Sequence, residues 1–218
     1  MQSLQDKREA SLALLARAAD MAGAGRVAVA WTGGKDSTVV LDLWRRVCPG
    51  PVLALNLDTG HKFPEIVAFR DRLAQSWGLE LHVARPEPGD VPEHIAQDRL
   101  ACCNALKVLP LRRAVASLGV SVLLTGIRAD ENPARTGLSH QEERGGYVQL
   151  NPILDWTEMD VWAHITGNAL PYCELYDRGY RSLGCVPCTR PAQGLEERSG
   201  RDAQKEARMD QLRALGYF

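Results

Sequence analysis

Directly after the apolar run Arg-Val-Ala-Val-Ala (26–30) the chain reads Trp31-Thr32-Gly33-Gly34-Lys35-Asp36-Ser37-Thr38. Paired glycines let a backbone approach a ligand closely and turn its N–H groups inward, and the N-terminus of a following helix favours an anion. Lys35 adds a point charge, and Ser37 with Thr38 adds hydroxyl donors. The glycines stand too near the lysine for a Walker loop, but the chemistry is still that of phosphate binding. A second constellation is Cys102-Cys103 with the later Cys185-Val186-Pro187-Cys188. Four thiolates from two pairs close either a [4Fe–4S] cluster or a structural Zn²⁺ site. Adjacent cysteines project in different directions, which suits the bulkier cluster. Lys107 follows Cys103 by four residues, on the same face of a helix, where it can bridge cluster charge and a substrate phosphate. Arg128 and Arg135, in the stretch beginning Thr125-Gly126-Ile127, offer planar forks suited to phosphate or sulfate. Of the five histidines, only His61, beside Asp58-Thr59-Gly60, stands next to a candidate site.

These groups need a scaffold, and the hydrophobic pattern supplies one. Strand-like runs (RVAVAW, PVLALNL, LELHV, VSVLLTG) alternate with stretches of helical period (DSTVVLDLWRRV, PEIVAFRDRLAQSW, NALKVLPLRRAVASLG). Parallel strands need crossover helices, so this rhythm predicts an α/β fold, a doubly wound parallel sheet covered on both faces. Ligands in such sheets sit beyond the carboxyl ends of the strands, which is where the Gly33 loop and Asp58-Thr59-Gly60 fall. An amphipathic helix precedes the first strand and stops at Met-Ala-Gly-Ala-Gly. The proline-rich segment 84–94 reads as a loop, and the polar segment 129–149 as a mobile loop over the site. Thr157 and Asp160 form a capping signature before a later helix, and residues 201–218 read as one final helix. The chain is thus expected to be one nucleotide-binding domain: an N-terminal helix to about residue 25, a core to about residue 155, and a metal-binding segment with a helical tail to the end.

With 218 residues, 45% hydrophobic and 24% charged, the chain can bury a substantial core. A net charge of -1 gives no support for broad attraction to nucleic acid or an anionic membrane, although Arg112, Arg113, Arg178 and Arg181 are compatible with a local basic patch and a nucleic-acid acceptor. No apolar run is long enough for a membrane span or signal peptide. Six cysteines without secretion features read as thiols or metal ligands of a cytoplasmic protein.

The Thr32–Ser37 motif resembles the pyrophosphate-binding PP-loop of the adenine nucleotide alpha-hydrolase superfamily, with Thr32 in place of the usual first serine. Leu55–Leu73 is similar to the second segment of its sulfonucleotide branch, which holds sulfate adenylyltransferase small subunits, adenylyl-sulfate and phosphoadenylyl-sulfate reductases, and ATP pyrophosphatases of DNA phosphorothioation. The segments around Cys102 and Cys185 resemble the cluster-binding segments of bacterial adenylyl-sulfate reductases. The resemblance runs from about Arg26 to the end. It implies that Thr32, Gly33, Gly34, Lys35, Asp36 and Ser37 hold ATP's β- and γ-phosphates, with Asp36 and Asp58 near Mg²⁺. It further implies that Asp58, Thr59, Gly60, Gly126, Arg128, Arg135 and Arg190 contact the nucleotide, and that Lys35, Asp36, Lys107 and Arg128 act on the reacting groups.

Within the branch, an intact loop belongs to enzymes that cleave ATP between α and β, whereas the reductases typically show an eroded one. The reductases also attack sulfur with a cysteine beyond the cluster segment, and no cysteine follows Cys188 here. The leading expectation is therefore an ATP-dependent enzyme that releases pyrophosphate and uses a [4Fe–4S] cluster in sulfur insertion, supplied by a sulfur donor protein such as a cysteine desulfurase. The alternatives are a sulfonucleotide reductase with a thioredoxin-like reductant, in which Cys173 or a partner thiol is the nucleophile, a sulfate adenylyltransferase small subunit, and a non-catalytic nucleotide sensor. A homodimer is compatible with all four.

Overall fold

The computed structural model describes residues 2–48 and 50–217. Its centre is a six-stranded sheet of order β3-β2-β1-β4-β6-β5, built from β1 (Arg26–Ala30), β2 (Leu53–Leu57), β3 (Glu80–Ala84), β4 (Val120–Leu124), β5 (Gln141–Arg144) and β6 (Tyr147–Leu150). The first four strands lie where the apolar runs place them, all parallel, with β6 parallel to β4 and only edge strand β5 antiparallel. The helices are α1 (Leu4–Ala16), α2 (Ala18–Ala22), α3 (Lys35–Val47), α4 (Pro64–Ser76), α5 (Arg99–Cys103), α6 (Leu109–Ser117), α7 (Glu158–Gly167), α8 (Ala203–Glu206) and α9 (Met209–Ala214).

Both faces of the sheet are covered. Val29 of β1 packs with Leu15, Val39, Leu43, Phe69, Trp156 and Val161 from α1, α3, α4 and the α7 region. Its neighbour Ala28 faces the other way, onto Ala114 and Val115 of α6, as the two-residue period of a strand requires. Each large side chain buried in these layers contributes roughly 1.5–3 kcal/mol of transfer free energy. Helix α7 begins with the expected capping box between Thr157 and Asp160.

Three segments depart from the sequence reading. Residues 141–150 form a hairpin, where a mobile loop was expected; Gly146, at φ +97°, makes the turn. The helix expected from Asn104 starts as a π-helical turn over Asn104–Val108, because Pro110 lacks the N–H that would continue the regular ladder. The tail is two short helices, α8 and α9, rather than one. Among the described residues no helix is long and apolar enough to cross a membrane.

Candidate active site

The order of strands reverses between β1 and β4, and the segments leaving their carboxyl ends flank the crevice where ligands of such sheets bind. An open chamber of about 1330 Å³ lies there. Its wall includes Thr32, Gly34, Asp36, Ser37, Lys62, Lys107, Gly126, Glu131, Arg135, Tyr176, Arg198, Arg201 and Tyr217.

Backbone geometry explains the loop's glycines. Gly33 takes φ +81°, and a Cβ there would meet Ile66 at 3.0 Å. A Cβ on Gly126 would stand 2.6 Å from the Ser37 nitrogen, so the chain after β4 can lie against the start of α3 only as glycine. Thr32 and Ser37 brace the loop: the Gly34 N–H donates to Thr32 Oγ1 (3.2 Å), the Thr32 N–H to Ser37 Oγ (3.2 Å), and Ser37 Oγ to the Gly34 carbonyl (3.1 Å).

Gly33, Lys35 and Arg128 are not among the residues that line the chamber, and the two cations are matched by acceptors. The Lys35 N–H donates to Tyr176 Oη at 2.8 Å. Lys35 Nζ, almost fully buried, donates to Asp36 (3.2 Å), the Arg181 carbonyl (3.1 Å) and Glu197. Arg128, with no exposed surface, engages Asp36 (2.6 Å), Asp130 (2.6 Å) and Glu197. Burial opposes charge on Lys35 and Arg128, but Asp36 and Glu197 outweigh it and hold both above their ordinary values. The Glu197 carboxyl is raised, by burial first and then by Asp36, against the pull of Lys35 and Arg128. Arg135 pairs with Glu131, which also accepts from Arg198 at 2.5 Å; these cations overcome burial and keep the Glu131 carboxyl far below the usual range.

The four motif cysteines converge on a second, small cavity, whose wall also contains Lys107 and Lys205. Asp98 caps α5 and sets Cys102 and Cys103 at its end. The facing turn, Val186–Cys188, is held by an N–H bond from Val186 to the His61 carbonyl (2.8 Å) and by a bridge pairing Lys62 with Cys185. All four thiols are free. Burial raises the Cys185 thiol, but Lys107, the Thr59 hydroxyl at 3.3 Å, Lys62 and Lys205 outweigh it and bring it to about 7. Among the described residues no three His, Cys, Asp or Glu side chains are grouped as a metal ion requires. Four thiols on one cavity wall, with Lys107 and Lys205 beside them, are a donor set of the chemistry that a [4Fe–4S] cluster would use.

Lys107 joins the two spaces, since it lines both. It lies in the π turn and is half-buried. Burial opposes its charge, yet Tyr217, Cys185 and Cys103 push its pKa up. Lys62 is brought down to about 8, by burial and then by Lys107. Lys205, nearly fully buried, is also lowered, by burial and then by Lys107. Arg201 is buried, its Nε without a hydrogen-bond partner, its guanidinium against Gly184. Among the described residues no carboxylate lies within ion-pair distance of Lys62, Lys107, Lys205 or Arg201.

The other expected site residues lie apart. Asp58 and Gly60 are outside the chamber wall, which Asp36 lines; Asp58 accepts from the Gly60 N–H (3.0 Å) and Arg85 (3.2 Å). Thr59 reaches Cys185 rather than the chamber. Arg190 is exposed and lines a surface hollow beyond Cys188. Cys173 is 1% exposed in the main core, its thiol raised chiefly by burial, and lines neither cavity. The four arginines of the supposed basic patch engage local acceptors: Arg112 the Leu215 carbonyl, Arg113 Asp90, Arg178 Glu65 and Arg181 Glu158. Lys62, Glu131, Tyr176, Glu197, Arg198, Arg201, Lys205 and Tyr217 were not singled out from the sequence. Only the clustering of charge at 196–201, Glu-Glu-Arg-Ser-Gly-Arg, gave any signal of them.

Residues 26–191 match the phosphoadenosine phosphosulfate reductase domain. The phosphoadenosine 5'-phosphosulfate reductase of Gloeobacter violaceus is 38% identical over 87% of this chain and 82% of its own length. The adenosine 5'-phosphosulfate reductase of Burkholderia cepacia is 35% identical over 69% of this chain, which spans 65% of that enzyme. Among solved structures, phosphoadenylyl-sulfate reductase from Candida auris superposes with TM-score 0.66 at 26% identity, over 87% of this chain and 98% of that one. FMN adenylyltransferase from Candida glabrata superposes with TM-score 0.68 at 18% identity, over 86% and 64%, and shares the fold. Domain match, relatives and sheet agree: this chain belongs to the phosphoadenosine phosphosulfate reductase family and carries the PP-loop α/β fold.

Proposed function

We propose that this protein is a thiol-dependent sulfonucleotide reductase, acting on adenylyl sulfate or its 3'-phosphorylated form. The ATP-cleaving, sulfur-inserting expectation gains no support from relatives that are themselves named sulfonucleotide reductases. The observation that carries the reading is the placement of cations that have no carboxylate partner among the described residues. Lys62, Lys107 and Arg201 line the nucleotide chamber on the side of the cysteine cavity, while the loop cations are matched by carboxylates. An adenylyl sulfate laid along the chamber puts its phosphate at the loop and its sulfate among those three cations. They stabilise charge that builds on the leaving phosphate and on the sulfonate oxygens.

The thiol comes from a reductant protein of thioredoxin-like dithiol chemistry, because Cys173 is sealed in the core. Its thiolate attacks the sulfate sulfur: an S–S bond forms, the S–O bond to phosphate breaks, and AMP leaves with that electron pair. The second thiol, losing its proton, then attacks the sulfur of the first. A protein disulfide forms and sulfite departs, so two electrons pass from the dithiol to sulfur. Cys102, Cys103, Cys185 and Cys188 would hold a [4Fe–4S] cluster beside this centre. When bound, it supplies an iron–sulfur centre with a local negative field.

The complete Gly33–Ser37 loop favours a second reading, Mg²⁺-dependent cleavage of ATP between α and β with sulfur from a desulfurase. One experiment separates the two. Anaerobically purified protein is given adenylyl sulfate, phosphoadenylyl sulfate or Mg-ATP, each with reduced thioredoxin, and sulfite and pyrophosphate are measured. Sulfite from a sulfonucleotide is the expected result; pyrophosphate from ATP with no sulfite from either sulfonucleotide overturns the proposal.

A further inference from the structure

The last described residue enters the wall of the chamber. Helix α9 ends at Ala214, and Gly216, at φ +88°, turns the chain in a left-handed cap. The Gly216 N–H donates to the Arg213 carbonyl (2.8 Å) and the Tyr217 N–H to the Leu212 carbonyl (3.0 Å), while Arg112 Nη2 clamps the Leu215 carbonyl (2.9 Å). Tyr217 is thereby carried inward rather than left in solvent. Its Oη accepts from Lys107 Nζ at 2.9 Å and from Lys205 Nζ at 2.7 Å. The two ammonium groups also lie 5.1 and 4.5 Å from its ring centroid.

Two ammonium groups brought together away from water repel, and neither has a carboxylate partner among the described residues. The phenol oxygen is the acceptor they share. We propose that Tyr217 is a positioning residue: it holds Lys107 and Lys205 side by side from the chain's tail, and so sets Lys107 at the junction of the nucleotide chamber and the cysteine cavity. Without the oxygen, Lys107 swings away from Lys205 and from the junction, although the aromatic ring remains. The consequence for substrate rests on the reading that the chamber receives adenylyl sulfate: Tyr217 then sets affinity for the sulfate end and not for the nucleotide end.

The test is Tyr217→Phe with two readouts. The first is competitive acetylation of lysines in the ligand-free protein, followed by mass spectrometry; Lys107 labelling is expected to change by about threefold or more relative to exposed lysines, and Lys205→Met in the same chain is expected to reverse most of that change. The second is calorimetry with adenylyl sulfate and with AMP. Adenylyl sulfate is expected to weaken by about tenfold and AMP by less than about twofold. Unchanged Lys107 labelling in Tyr217→Phe, or an equal loss of both nucleotides, overturns the assignment. If the parent chain itself does not prefer adenylyl sulfate to AMP, the reductase reading falls instead, and the labelling alone decides the role of Tyr217.

Discussion

Next to the glycine loop, Lys35 and Arg128 meet Asp36, Asp130 and Glu197, of which only Asp36 lines the chamber. At the cysteine end, Lys62, Lys107, Lys205 and Arg201 have among the described residues no such partner, and a tyrosine does part of the work that a carboxylate would do. If a phosphate is to pair with Lys35 and Arg128, it has to displace Glu197, and part of the binding energy is lost to that exchange. A corner whose cations have no carboxylate partner has no such ion pair to break when an anion arrives. On the proposed reading, discrimination between nucleotides belongs to the cysteine end, and the loop end supplies position.

The largest way to break this contrast is to remove Lys107. Lys107→Met is expected to weaken adenylyl sulfate by roughly 100-fold, the loss of one or two charge-assisted hydrogen bonds, while AMP affinity stays within about threefold; calorimetry reads both. Parallel loss of AMP would mean that the two ends are not separate. A smaller effect, of opposite sign, is expected at the loop. Glu197→Gln frees Lys35 and Arg128 and should tighten binding of inorganic sulfate by about tenfold.

The same carboxyl gives a pH signature. Because burial and Asp36 raise its pKa, Glu197 takes up a proton earlier than an ordinary glutamate as pH falls. Sulfate affinity of the parent is then expected to rise from neutral toward acid pH, and that of Glu197→Gln to stay flat over the same range. A parallel rise in the variant would assign the titration to another group.

The smallest effect is structural. Asp202 caps α8 through the Lys205 N–H (2.8 Å) and takes Arg99 of α5 in two bonds, 3.1 and 2.8 Å. It ties the Cys102 helix to the tail that carries Lys205. Asp202→Ala should cost about 1–2 kcal/mol, as loss of a cap does, measured by denaturant unfolding. Arg99 holds the Asp202 carboxyl below its ordinary value. Its contribution is therefore complete above that ordinary value and is lost as pH falls through the lowered one, so parent and variant should converge in acid.

Much of the scaffold was legible because its signals are local. Four parallel strands follow from uninterrupted runs such as Val-Leu-Ala-Leu-Asn-Leu, the Thr157 box announces α7, and the Gly33–Ser37 loop announces α3. Strand β5 was hidden because Gln-Glu-Glu-Arg at a sheet edge has no apolar alternation to detect. The π turn at Asn104 depends on how Pro110 interrupts a helix that is otherwise regular in pattern. At the site, the cysteine pairs and loop were visible from spacing. Glu197, Lys205 and Tyr217 were not, since their importance comes from the groups they meet across the fold: Lys35 and Arg128 for Glu197, Lys107 for the other two. Cys173 shows the converse, a chemically capable residue that lies in the main core and lines neither cavity.

On the proposed reading, the cysteine end reads the sulfate. The most direct measurement is calorimetric titration of the parent chain, at one salt concentration, with adenylyl sulfate, AMP and ATP in turn. Adenylyl sulfate binding roughly tenfold or more tighter than AMP, with ATP weaker than adenylyl sulfate, is the expected result. Equal affinity for adenylyl sulfate and AMP, with ATP the tightest of the three, would contradict it.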